Sequence, residues 1–116
     1  MCCSPLILLL ITGALLIPTE GQGDLLSIVD MAIEHGNKIP EKPEKHMNFY
    51  RILRREQGWT LLSTELLLRA TDCKNSGMTT HQNHCKFTEP KRFINCLVCI
   101  DDLTHLETST IQCDWQ

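Results

Sequence analysis

FINCLVCIDDL, residues 93–103, sets two cysteines three positions apart inside an apolar, β-branched run. A C-x-x-C spacing occurs in zinc ribbons, thiol oxidoreductases and disulfide-rich secreted domains, so its reading separates a metal protein, an enzyme and a scaffold. Residues 93–100, bounded by Pro90-Lys91-Arg92 and Asp101-Asp102, read as a strand. Side chains alternate faces along a strand, so Cys96 and Cys99 point apart, with Cα atoms about 10 Å from each other. A disulfide wants Cα atoms closer than about 7 Å. A zinc knuckle needs a turn between its cysteines, and a thioredoxin-type pair needs a helix N-terminus after the first one. Neither follows Cys96. The two cysteines are expected to have separate fates.

The N-terminus bears on the redox state of those cysteines. Met1-Cys2-Cys3-Ser4-Pro5 is followed by an apolar block through Ile17 that breaks at Pro18 into Thr19-Glu20-Gly21-Gln22-Gly23. That pattern predicts a secretory signal peptide over residues 1–23, cleaved near Gly21 to Gly23. The block is shorter than the about 20 apolar residues of a transmembrane helix, which disfavours a membrane anchor. The mature chain, residues 24–116, is then one secreted, extracellular domain that matures where cysteines form disulfides. Cys73, Cys85, Cys96, Cys99 and Cys113 remain in it. A domain this small buries a limited core, so covalent staples are physically useful. The count is odd, leaving one thiol over.

Asp24 is a candidate N-cap for a helix whose Leu25, Ile28, Val29, Ala32 and Ile33 form one apolar stripe, with Gly36-Asn37 as its stop. The opposite face carries Asp30 and Glu34, which suits packing on a core better than lying on a membrane. A polar connector with Pro40 and Pro43 leads to a strand over 48–53 and a turn over 54–58. Residues 59–71 place Leu62, Thr64, Leu66, Leu68 and Ala70 on one face at period two, the mark of a strand. A helix through Leu61, Leu62, Glu65, Leu66 and Arg69 also fits that stretch. Short strands are expected at 86–88 and 108–113. One helix followed by several strands predicts an α+β domain, the helix packed on a curved antiparallel sheet of about four strands.

Cys73, His81, His84 and Cys85 also cluster in sequence, around a polar, glycine-containing loop. Zinc there is disfavoured, because oxidised cysteines supply no thiolates and His81 and His84 read as solvated loop residues. Ser63, Ser76 and Ser109 lack any motif context, no histidine sits in an acid–base constellation, and Asp101 and Asp102 read as turn residues. No enzyme, metal or cofactor is therefore expected. From Asp24 onward there are 13 acidic and 11 basic residues, net −2. That balance argues against binding nucleic acid or anionic membranes through bulk charge. Arg51, Arg54 and Arg55, and likewise Lys91 and Arg92, read as solvated turn residues.

Cys73, Cys85, Cys96 and Cys113 are separated by 11, 10 and 16 residues. This ladder resembles that of the cathelin-like domain of cathelicidins, within the cystatin-like superfamily. DLLSIVDMAIEHGN looks like that family's N-terminal helix, NFYRILRREQ like its first strand, and STELLLRATDC like the strand entering the first cysteine. NCLVCI looks more like chemerin, a neighbouring cystatin-like family with a C-x-x-C at this place. The resemblance covers nearly the whole mature chain. It implies a cystatin-like fold with Cys73–Cys85 and Cys96–Cys113 bridges, each joining neighbouring strands. Chemerin-like chains pair the second cysteine of the C-x-x-C with a cysteine in the tail. Here Asp114-Trp115-Gln116 offers no such partner, so Cys99 is expected as the unpaired thiol, buried on the core face or linking a dimer.

The resemblance implies a role in host defence or innate immune signalling, through a protein or peptide partner such as a receptor or protease. The departures narrow that role. Cathelicidins release a cationic antimicrobial peptide from beyond the domain, and nothing basic follows Cys113 in this sequence. Cystatins wedge a glycine and two hairpins into cysteine proteases. Gly23 could serve as the first wedge, but Arg54-Arg55-Glu56-Gln57-Gly58-Trp59 does not match the Q-x-V-x-G hairpin. The turn Thr104-His105-Leu106-Glu107 lacks the Pro-Trp of the other. A chemerin-like receptor ligand and a cystatin-type inhibitor remain as alternatives.

Overall fold

The computed structural model describes residues 21–58, 61–101 and 109–116. The element order is α1 (Gly21–Gly36), β1 (Lys45–Gln57), β2 (Leu62–Lys74), β3 (Phe93–Ile100) and β4 (Thr110–Trp115). The four strands form one antiparallel sheet in the order β1-β2-β3-β4. The expected signal peptide, Trp59 and the turn Thr104 to Glu107 lie outside the described residues.

The helix packs on one face of the sheet, where its apolar stripe meets apolar strand residues recurring at period two. From α1 come Ile28, Val29, Ala32 and Ile33, all buried, with Leu25 packed at the margin. The even positions of β2 (Leu62, Leu66, Leu68, Ala70) and of β3 (Ile94, Cys96, Val98, Ile100) meet them, with Met47 from β1 and Cys113 from β4. The stretch that admitted either a helix or a strand is thus strand β2, its side chains alternating between the helix-facing layer and the outer face.

The helix starts at Gly21, so Asp24 lies inside it instead of capping it. Its end at Gly36 matches the expected stop for a different reason. Gly36 is not in the left-handed region; a Cβ there would come within 2.5 Å of Leu68 Cδ1 and 3.5 Å of Cys96 Sγ. Glycine lets the helix end sit close against the side chains of Leu68 and Cys96, which a Cβ would force aside. Asn37, itself buried, then ties the helix end to β1. Its Nδ2 donates to the carbonyls of Ile33 (2.8 Å) and Met47 (3.2 Å), and its Oδ1 accepts from the Met47 N–H (2.9 Å).

Residues 54–57, read from sequence as a turn, extend β1 and pair with Glu65, Thr64, Ser63 and Leu62. Beyond them the Gly58 N–H donates to the Leu61 carbonyl at 2.7 Å. Polar residues run on in β1 because it lies at the edge of the sheet, where strand pairing does not require apolar side chains. Residues 86–88 do not form a strand. Phe87 makes a single bridge to Thr71.

Candidate functional site

Two bridges staple the sheet. Cys96 and Cys113 are direct partners in the β3–β4 ladder, Cα atoms 4.1 Å apart, and their bond lies in the helix-facing core. Cys73 and Cys85 lie 5.6 Å apart at Cα. Cys85 is in the loop between β2 and β3, so this bridge clamps a loop to the end of β2 instead of joining neighbouring strands. Cys96 and Cys99 do point to opposite faces, but with the roles reversed from expectation. Cys96 faces α1, its Sγ 3.9 Å from the Ala32 carbonyl. Cys99 faces away from the helix, buried beside Ser63 with 3.9 Å between Sγ and Oγ. Nor is Cys99 the unpaired thiol. It is disulfide-bonded, and among the described residues no cysteine is a free thiol.

The β2–β3 loop folds over the outer face of β1. The Asn48 side chain exchanges two hydrogen bonds with the Gln82 backbone, Nδ2 to the carbonyl and N–H to Oδ1, each 2.9 Å. Thr71 Oγ1 donates to the His46 carbonyl at 2.7 Å. His46 is fully buried there, Nε2 3.1 Å from the Thr80 carbonyl. A carbonyl only accepts, so Nε2 carries the proton and the unpartnered Nδ1 is the bare nitrogen. Burial pushes the His46 pKa below its ordinary value of 6.5, with the neighbouring His81 and His84 acting the same way. The Thr80 and Asn48 hydrogen bonds oppose them. His81 and His84 themselves are exposed, as read from sequence. His84 does lie with Cys73 and Cys85 inside a 4.8 Å cluster, but both sulfurs are spent in the disulfide and offer no ligand.

A cleft of about 630 Å³ lies at the end of the sheet where β1 and β3 begin. Met47 and Ala70 lie at its base, the connector carrying Glu41 to Lys45 forms one wall, and Thr88, Glu89 and Pro90 form the other. Trp115 and Arg92 close it together, the guanidinium 4.5 Å above the indole ring. Each wall is fixed by hydrogen bonds. Trp115 Nε1 donates to the Glu41 carbonyl at 2.9 Å, and Asn75 Nδ2 donates to the carbonyls of Asn37 and Pro43. Arg69 Nη2 holds the other wall through the Thr88 carbonyl and the Glu89 carboxylate. Beside it Arg69 lies over Tyr50 and Phe87, 5.4 and 5.0 Å from the ring centres, while Tyr50 packs against both Phe87 and Phe93. The lining balances three acidic side chains, Glu41, Glu44 and Glu89, against Lys42, Lys45 and Arg92. The cleft thus presents an indole and charges of both signs between walls tied by hydrogen bonds.

Sequence reading did not find this cleft. Arg92 is exposed, as expected of a turn residue, yet it is held against Trp115 by strand pairing between β3 and β4. The available signals were the prolines at 40, 43 and 90, which stiffen both walls. Comparison with protein-family models, with curated proteins and with solved structures finds no match to this chain. Among the described residues, no helix is long and apolar enough to cross a membrane.

Proposed function

We propose that this chain is a secreted, cystatin-like domain of the cathelicidin and chemerin group, acting in host defence or innate immune signalling. It works by recognising another protein or a peptide, without catalysis or a cofactor. The observation that carries this reading is the arrangement of the staples. Among the described residues one helix lies on a four-stranded antiparallel sheet, and the four cysteines of the family-like ladder are joined Cys73–Cys85 and Cys96–Cys113. The pre-formed cleft around Trp115 supports recognition of a peptide segment, since fixed walls lower the ordering cost of binding.

Direct membrane lysis and tight protease inhibition fit less well. Interfacial binding calls for a basic polar face on an amphipathic helix. In α1 the apolar face is occupied by the core, and Asp30 and Glu34 are exposed on the other. A cystatin-type wedge through 54–58 would bring Arg54 and Glu56 into a protease cleft, at a desolvation cost unless both found partners.

The test runs three assays on the refolded, oxidised chain: liposome leakage, papain inhibition and leukocyte migration. The expected pattern is no leakage at micromolar concentration, no inhibition at nanomolar concentration, and a migratory response that Trp115→Ala weakens. Leakage would restore a direct antimicrobial role, and nanomolar inhibition would make the chain a functional cystatin. Silence in the migration assay would remove the signalling role.

A further inference from the structure

The two described disulfides differ in the features that govern thiol–disulfide exchange: access to a sulfur, and the charge beside each sulfur. Cys96–Cys113 is enclosed, with Cys96 at 0 % exposure under the helix and Cys113 at 7 %. In the Cys73–Cys85 bond only Cys85 is buried, while Cys73 is partly open to solvent. The surroundings of that bond are also unsymmetrical. His84 Nε2 lies 3.6 Å from Cys85 Sγ, and Asp72 Oδ1 lies 3.8 Å from Cys73 Sγ. The Asp72 carboxylate is held in place by the Lys86 N–H, which donates to Oδ1 at 3.0 Å.

We propose that Cys73 is a site of covalent modification by small thiols, opened by attack on the Cys73–Cys85 bond with Cys85 as the departing sulfur. A low-molecular-weight thiolate attacks Cys73 Sγ, the reachable end. A new sulfur–sulfur bond forms to Cys73 as the bond to Cys85 breaks, and the electron pair leaves on Cys85 Sγ. The imidazole of His84, with Nε2 3.6 Å from Cys85 Sγ, stabilises that thiolate through a ring N–H. Asp72 opposes the reverse polarity, because a thiolate on Cys73 would sit beside a carboxylate. The products are a mixed disulfide at Cys73 and a thiol at Cys85. A second thiolate attacking the mixed disulfide at the small-molecule sulfur frees Cys73 and releases the oxidised small thiol, so electrons balance throughout. The exposed Lys74 and Lys86 flank the site and favour approach of an anionic attacker.

The experiment exposes the folded full chain to graded 2-mercaptoethanol without denaturant, traps free thiols by alkylation, and maps the peptides over time. Cys85 should be alkylated first, with the mercaptoethanol adduct on Cys73, at a rate about tenfold or more above that of opening at Cys96–Cys113. His84→Gln should slow that opening several-fold and leave the rate at Cys96–Cys113 and the melting temperature unchanged. Asp72→Asn should let part of the adduct appear on Cys85. Equal rates at the two bridges, earlier opening of Cys96–Cys113, or an adduct mainly on Cys85 in the unmodified chain would overturn the proposal. An unchanged rate in His84→Gln would remove His84 from it.

Discussion

Asn37 joins the helix to the sheet through groups of fixed polarity. Its amide donates twice and its carbonyl accepts once, all in a site 2 % exposed. Asn37→Asp keeps the shape but turns the carboxamide nitrogen into an oxygen that faces two carbonyls. The expected loss is about 2–3 kcal/mol, read from urea denaturation, because buried acceptors would be left opposed and unpaired. Asn37→Ala should cost a similar amount through orphaned backbone groups, and a change below about 0.5 kcal/mol in either variant would show the network to be dispensable. His46 adds a pH dependence of definite sign. Its folded pKa is lowered from 6.5 by burial, so between the folded and unfolded pKa values the unfolded chain holds more protons. The neutral ring therefore contributes stability above about pH 6.5 that is lost as pH falls toward the folded pKa. Melting temperature should drop between pH 7 and pH 5, and His46→Gln should flatten that slope. An identical slope in the variant would place the dependence on other groups.

Strand β3 was legible to the residue, because a β-branched run closed by Pro90 and Asp101 leaves little choice of boundary. The helix was legible in its stripe but not in its start, since Gly21 to Gly23 give no signal for helix over loop. Strand β1 was read short at both ends. Lys45 and Arg54 to Gln57 carry no apolar alternation, and only pairing with β2 draws them into the sheet. The cleft was not legible, because it depends on Arg92 and Trp115 meeting at the ends of β3 and β4, which no local pattern reports. The closure they form is testable as a unit. Trp115→Ala removes the indole from Arg92 and the hydrogen bond to the Glu41 carbonyl, and should cost about 1–2 kcal/mol in stability. The same change in an Arg92→Ala background should cost less, because part of the loss is shared between the two side chains. Fully additive losses would mean the stacked pair has no energetic coupling.

At the scale of the molecule, the helix and sheet bury one shared core and the bridges limit the unfolded chain. Each of Cys73–Cys85 and Cys96–Cys113 closes a loop whose constraint is worth about 3 kcal/mol. Replacing both Cys96 and Cys113 by alanine should lower stability by about that amount or more, since the pair is also core. The cysteine ladder made the pairing expected through resemblance. It did not show that Cys85 belongs to a loop, or that Cys96 and not Cys99 faces the helix, because face assignment requires knowing which layer the helix covers. The central claim remains that the C-x-x-C of β3 is not one site but two cysteines committed to different places. Proteolytic mapping of the oxidised chain under non-reducing conditions tests it most directly. The account predicts one peptide pair joined through Cys73 and Cys85 and another through Cys96 and Cys113. A peptide carrying a Cys96–Cys99 bond, or zinc held in place of either bridge, would contradict it.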